Sequence, residues 1–281
     1  MNEVAIMVAP NGARRVKADH PAIPITPAEL GVTAQACRLA GAGAIHVHVR
    51  DEAGRHALNA TTYREAIRMI MDRCAGDMAV QVTTESAGLF GIDEQVALAQ
   101  ALKAANLSFA IRELLAGGPG RAVQFLAWAA RAGVSIQFIL YDVDDIAVFA
   151  QMHRNGDLQV AGKPRTLLVV GRYGTVQNGR PEDFDTLYRA YAAEGLHEST
   201  IWMTCAFGIG EMACLNLAIE RGGHVRVGFE NAIVDANGVP ARDNAQRVAM
   251  VAELARGHGR PVASAMQAAA ILGMRSLTPL L

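Results

Sequence analysis

The four cysteines, Cys37, Cys74, Cys205 and Cys214, form no CxxC pair and lie far apart. That spacing gives neither a zinc knuckle nor a disulfide framework, and the thiols read as reduced and buried in a cytosolic protein. No apolar run approaches the ~20 residues a membrane-spanning helix needs. The opening Met1-Asn2-Glu3-Val4-Ala5-Ile6-Met7 lacks the basic start and long apolar core of a secretory signal, so a cytoplasmic location is expected. No charge of one sign predominates: 26 Lys and Arg face 27 Asp and Glu, for a net charge of −1. Without a basic stripe, neither nucleic acid nor a membrane is an expected partner. No Gly-x-Gly-x-x-Gly follows the first apolar run, and Gly117-Gly118-Pro119-Gly120 reads as a plain turn, not a phosphate cradle. Linkers, low-complexity tracts and internal repeats are also missing, so residues 1–281 are expected to form a single domain.

What is present is an alternation. Short β-branched or apolar runs predict strands at Val4–Val8, Ala44–Val49, Ala79–Thr83, Leu107–Ile111, Ser135–Tyr141, Thr166–Val170, Thr200–Cys205 and Val225–Phe229. Each is followed by a helical stretch. The first opens on Thr26-Pro27-Ala28-Glu29, a capping box with proline at the first helical position. Others run near Thr61–Cys74, Glu94–Ala104, Arg121–Arg131, Asp144–His153, Pro181–Ala193, Glu211–Glu220 and Asn244–Ala255. A last apolar helix, near Ala263–Leu272, is expected to pack outside the strands. Eight βα units in this length predict an α/β fold, a TIM (β/α)8 barrel with an extra C-terminal helix. A doubly wound open sheet is the alternative.

In such a barrel, chemistry gathers at the C-terminal strand ends. Polar residues concentrate there: Asn11 and Arg14; His46, His48 and Arg50; Thr83, Thr84, Glu85 and Ser86; Arg112 and Glu113; Tyr141 and Asp142; Arg172 and Tyr173; Arg226, Glu230 and Asn231. His46-Val47-His48 places two imidazoles on one face of a strand, able to grip a transition metal. The plain alternative is a pair of hydrogen-bonded core histidines. Glu230 can complete a His₂Glu set at a closed barrel's mouth, or pair with Arg226 or Arg50 instead. Arg226 suits a substrate carboxylate, and a bound cation would polarise a nearby carbonyl, which suggests a β-keto acid.

Several long strings go further. Pro10-Asn11-Gly12-Ala13, Pro24-Ile25-Thr26-Pro27-Ala28-Glu29, Gly41 through Asp51 and Gly222 through Asn231 resemble the β-keto acid cleavage enzymes of the 3-keto-5-aminohexanoate type. The resemblance covers nearly the whole chain. It implies a zinc-bearing TIM barrel, usually a homo-oligomer (dimer or tetramer), with zinc or another divalent ion on His46, His48 and Glu230. It implies a transferase with acetyl-CoA as co-substrate, turning a β-keto acid into acetoacetate and a new acyl-CoA, with Arg226 holding the substrate. Asn11, Arg14, Thr83, Thr84 and Ser86 are the further candidates for substrate binding.

The chain departs from the family's pattern where proton transfer is concerned. The family usually reads Glu-Asp-Asn after the eighth strand, with the Asp as its proposed base; here Glu230 is followed directly by Asn231, whose amide cannot take a proton at neutral pH. Fifth-strand glutamates are missing from Gln137-Phe138-Ile139-Leu140-Tyr141-Asp142. Glu85 and Glu113 replace other residue types of the pattern and are the candidate substitutes for the base. Arg14 stands where the aminohexanoate enzymes look acidic, which favours a substrate with a neutral or anionic tail. Another metal-dependent carbon–carbon lyase or hydrolase on the same barrel, and a non-catalytic metal- or ligand-binding homologue, remain as alternatives. An amidohydrolase is disfavoured, because its HxH lies on the first strand and later strands add histidines.

Overall fold

The structure, a computed structural model, describes residues 2–103, 106–160, 162–172 and 177–275. Eight parallel strands close into a barrel in sequence order: β1 (Ile6–Val8), β2 (Ala44–Val47), β3 (Ala79–Thr83), β4 (Asn106–Ala110), β5 (Ser135–Leu140), β6 (Arg165–Val170), β7 (Ile201–Ala206) and β8 (His224–Val227). Closure is made by β8 pairing with β1, Val225 opposite Ile6 and Arg226 opposite Met7. The barrel expectation holds, and the open-sheet alternative does not.

Period-two alternation divides the side chains between two cores. Ile6, Val8, Ile45, Val47, Leu107 and Phe109 point outward against the helices, while Met7, Ala44, Ile139, Leu167, Val169, Met203 and Cys205 fill the interior. Phe109 and Phe138 are fully buried, and each such ring contributes roughly 1.5–3 kcal/mol by leaving water. The first helix, Pro27–Ala40, starts as its sequence dictates. Thr26 Oγ1 accepts the Glu29 N–H at 3.2 Å, and Glu29 Oε2 accepts the Thr26 N–H at 3.0 Å. Gly41, at φ +116°, ends it.

Several boundaries differ from the sequence expectation. The second strand does not run through to Val49. The chain leaves the barrel at His48, and Val49–Arg50 pairs antiparallel with His56–Ala57, an unexpected two-stranded flap. The fourth strand stops at Ala110, and Ile111–Leu114 makes a helical turn that carries Arg112 and Glu113. The eighth stops at Val227 because Gly228 turns to φ +145°. The third helix spans Ile92–Leu102; Ala104, where it was expected to end, and Tyr173 lie outside the described residues.

The C-terminal helix, Ala265–Ile271, is present but does not lie outside the barrel. Its Ala268 and Ile271, with Leu272 and Met274, join the interior cluster around Ala5, Met7 and Ala44 and close the N-terminal end. Gly43 permits this, since a Cβ there would stand 2.4 Å from the Ala268 methyl. Among the described residues no helix is long and apolar enough to cross a membrane.

Candidate active site

At the opposite end of the barrel the predicted residues converge. His46 lies on β2 and His48 one step past it; both are almost fully buried. Their Nε2 atoms stand 3.1 Å apart. Glu230 arrives from the turn after β8, which Gly228 makes sharp: a Cβ there would meet the Ala9 carbonyl oxygen at 2.4 Å. The turn is pinned by Asn244, whose Oδ1 accepts the Phe229 N–H at 2.8 Å and whose Nδ2 donates to Pro10 O at 3.1 Å. The β1 loop crosses directly over Glu230. Gly12, at φ +60°, leaves the room, since a Cβ would lie 2.6 Å from Glu230 Cγ.

Glu230 uses its two oxygens differently. Oε1 accepts from Arg226 Nη2 at 2.9 Å. Oε2 makes no hydrogen bond and faces His48 Nε2 at 3.3 Å and His46 Nε2 at 3.8 Å. The two sequence readings of Glu230, ligand or arginine partner, are thus compatible. Burial, with the Arg226 charge, pushes His46 down to about 4. His48 is pushed down to about 3 by burial, against the raising effect of Glu230. Both rings are therefore neutral, with nitrogen lone pairs to offer. Burial alone would raise the Glu230 carboxyl, but the Arg226 charge beside it overrides this and holds it well below the usual carboxylate range. All three ligand atoms lie within 4.8 Å of one another. Ligands sharing one tetrahedral ion at ~2.0–2.2 Å stand roughly 3.3–3.6 Å apart. The observed separations bracket that range, so the donor set fits a divalent cation, with zinc, manganese and cobalt all compatible.

Around this triad lies a small chamber. Its inner part is lined by His46, Thr83, Glu85, Ile139, Tyr141, Val169, Arg172, Phe207, Arg226 and Glu230. Its outer part adds Gly12 to Arg15 and Gln177. Arg226 is held by Cys205 Sγ at 3.3 Å and by Glu230, while its buried Nε has no partner. Glu85 crosses the chamber: Oε1 accepts from Arg172 Nη2 at 2.9 Å and Oε2 lies 3.8 Å from His48 Nε2. Arg14 is exposed at the rim.

Other candidates are not brought into the chamber. Glu113 Oε2 accepts from the Ser86 N–H at 3.1 Å and Gln95 Nε2 at 2.6 Å, and burial raises its carboxyl. Thr84 donates to Ser108 O at 2.8 Å, because it has the opposite strand parity to Thr83. Ser86 donates to Phe90 O at 2.6 Å. Asn11 is buried and donates to Pro24 O at 2.9 Å and His48 O at 3.0 Å, holding the histidine's backbone rather than facing the chamber. Asn231 is buried with both amide atoms unpartnered and does not line the chamber. Arg112 turns away to Asp142 and Asp145.

Sequence reasoning missed His56, whose ring lies 5.1 Å from that of His48, tilted by 53°, and whose Nε2 meets Glu85 O at 2.9 Å. It also missed Gln81. A polar Gln81 amid the apolar run of β3, sharing parity with Thr83, was a readable signal.

Comparison with known proteins agrees with the barrel fold. A family model described as beta-keto acid cleavage enzyme matches residues 3–274. The 3-keto-5-aminohexanoate cleavage enzyme of Acetoanaerobium sticklandii is 27% identical over 98% of this chain and 99% of its own. The 3-oxoadipate:acetyl-CoA acetyltransferase of Cupriavidus necator is 27% identical over 97% of this chain and 95% of its own. Among solved structures, apo ObcA superposes with a TM-score of 0.70 at 17% identity, over 90% of this chain and 66% of that one. Type I 3-dehydroquinate dehydratase of Clostridium difficile gives 0.59 at 13% identity, over 92% and 93%. At such identities the structural likenesses speak for the barrel alone.

Proposed function

This chain belongs to the β-keto acid cleavage enzyme family, and from that premise we propose that it transfers acyl groups between a β-keto acid and acetyl-CoA, releasing acetoacetate and a new acyl-CoA. The observation that carries the reading is the convergence of two buried imidazoles and the free Oε2 of Glu230 beside Arg226. His46, His48 and Glu230 would hold a divalent ion, zinc being the first candidate. Bound there, it supplies Lewis acidity toward a β-keto carbonyl.

The chain's own groups account for the rest. Arg226 offers its unpartnered Nε to the substrate carboxylate, fixing which end of the β-keto acid enters first. Its charge persists although burial opposes it, because Cys205 and Glu230 lie against it. Thr83 and the apolar wall of Ile139, Val169 and Phe207 exclude water around the reacting carbons. A proton must leave an α-carbon, and Asn231 cannot accept it. Glu85 is the carboxylate that lines the chamber beside the triad, so the base role goes to Glu85. Glu113, committed to Ser86 and Gln95, holds the loop that carries Glu85. Arg14, at the outer rim, favours a neutral or anionic substrate tail over a cationic one.

The test is turnover of metal-loaded protein with acetyl-CoA and a panel of β-keto acids, reading acetoacetate and the new acyl-CoA by mass spectrometry. Product from one neutral or dicarboxylic member, with little from an aminated one, is expected. A preference for the aminated substrate overturns the role given to Arg14. No turnover with any member, together with turnover created by Asn231→Asp, shows that the natural protein has abandoned the family reaction and keeps only its binding site.

A further inference from the structure

We propose that Gln81 and Gln137 are positioning residues that lock His46 into one tautomer, leaving its Nε2 bare and aimed at His48 and Glu230 before any cation arrives. The consequence for metal binding rests on the function proposed above; the tautomer itself does not.

The argument starts at a group whose role cannot be exchanged. Thr166 O is a backbone carbonyl and can only accept. Gln137 Nε2 lies 3.5 Å from it, so the Gln137 amide points its NH₂ there and its Oε1 the other way. Gln81 Nε2 donates to that Oε1 at 3.1 Å. With its NH₂ so used, Gln81 presents Oε1 to His46 Nδ1 at 2.8 Å. An amide oxygen can only accept, so the proton of His46 sits on Nδ1 and Nε2 carries a lone pair. Amide and imidazole orientations are otherwise ambiguous; the carbonyl at the end of the row removes the ambiguity.

The row is expensive to reverse. Gln81 is 2% exposed and Gln137 5%, so water cannot replace a lost partner. Flipping Gln81 would set its oxygen against the Gln137 oxygen, a clash that persists even if the imidazole moves its proton to Nε2 to suit the turned amide. The groups come from four strands, β2, β3, β5 and β6: His46, Gln81 and Gln137 share the inward parity of the barrel, and Thr166 contributes its backbone carbonyl. His48 has no such support, since its Nδ1 is buried without a partner. One ligand of the pair is therefore set in advance and the other is left free to adjust.

The test is nitrogen-15 NMR of the histidines in metal-free protein, joined to chelator-competition measurement of zinc affinity and a thermal melt to confirm folding. His46 is expected as the Nδ1–H tautomer in the unaltered protein. Gln81→Leu is expected to mix the tautomers and to weaken zinc binding by ~10–100-fold, and Gln137→Leu to act in the same direction by less. Gln81→Glu retains the acceptor and is expected to restore the tautomer. A proton on His46 Nε2 in the unaltered protein overturns the proposal, whether or not the variants fold. So does a folded Gln81→Leu variant with tautomer and affinity unchanged. A locked tautomer in a protein that binds no divalent ion would leave the lock standing and sink the metal reading instead.

Discussion

The two arcs of the barrel mouth are built differently. On one arc, β8, β1 and β2 bring Glu230, Gly12, His46 and His48 together, and the packing is so tight that two glycines are required. On the other, β3 to β6 present Glu85, Ile139, Tyr141, Val169 and Arg172, an apolar wall crossed by one ion pair. The first arc carries the strings that follow the family's pattern together with two departures, Arg14 and the Asn231 that directly follows Glu230, and the second carries the others. A cation site needs several donors within a few tenths of an ångström, so it tolerates little change. A wall that shapes a substrate can be rebuilt one side chain at a time. On the function proposed above, the cation ligands and the substrate-binding Arg226 belong to the first arc, and the base, Glu85, belongs to the second.

The sharpest way to break this division is to remove ligands from each side. His46→Ala, His48→Ala or Glu230→Gln is expected to weaken zinc binding by more than ~100-fold, beyond what loss of an outer partner costs. Glu85→Gln should leave affinity nearly unchanged, although Glu85 Oε2 lies 3.8 Å from His48. Equal losses for Glu85→Gln and Glu230→Gln, read by chelator competition, would erase the distinction between the arcs.

Turnover should show the opposite pattern for the second arc. Glu85→Gln is expected to lower kcat by ~10²–10⁴-fold with zinc still bound, the range for losing a general base. Glu113→Gln should leave kcat within a few-fold, since its carboxylate serves Ser86 and Gln95. Full activity in both variants removes the carboxylates of this arc from proton transfer.

A smaller effect probes the packing of the first arc. Gly12→Ala forces φ +60° on a residue with a Cβ and pushes that Cβ against Glu230. About 1–3 kcal/mol of stability should be lost to backbone strain, with a measurable fall in zinc affinity as Glu230 is displaced. An unchanged affinity would mean that the β1 loop does not fix the carboxylate.

A comparable effect on stability, without one on zinc affinity, belongs to the far end of the same arc. His224 opens β8, and its Nδ1 accepts the Ala5 N–H at 3.2 Å, which only an unprotonated nitrogen can do. Burial, with the Arg260 charge, pushes the ring down to about 4. The unfolded chain, titrating near ~6.5, takes up the proton first as pH falls. The stability contribution is full above pH ~6.5 and is lost as pH falls toward about 4, by on the order of 1–3 kcal/mol. Denaturant melts of His224→Asn beside the parent check it, because the variant should lose part of that pH dependence.

The sequence by itself determined the barrel and the three residues, His46, His48 and Glu230, that meet at its mouth. Eight apolar runs separated by helices leave few other topologies, and HxH with a strand-eight carboxylate depends on parity and strand-end position, which are readable along one dimension. The capping box at Thr26 was legible for the same reason: it is local. Only the tertiary structure decided which of the remaining polar residues face the chamber. Glu85 and Glu113 look equivalent as strand-end carboxylates, yet a helical turn after Ala110 carries one of them to the Ser86 loop. The C-terminal helix reads as an apolar helix packed outside the strands but plugs the barrel, because only the closed cylinder offers Ala268 and Ile271 an apolar hole. Gln81 and Gln137 are separate polar interruptions in the sequence, and they become one hydrogen-bonded row only when β3 and β5 share an interior. Such residues depend on partners tens of positions away, and contacts of that kind exist only once the chain has closed on itself.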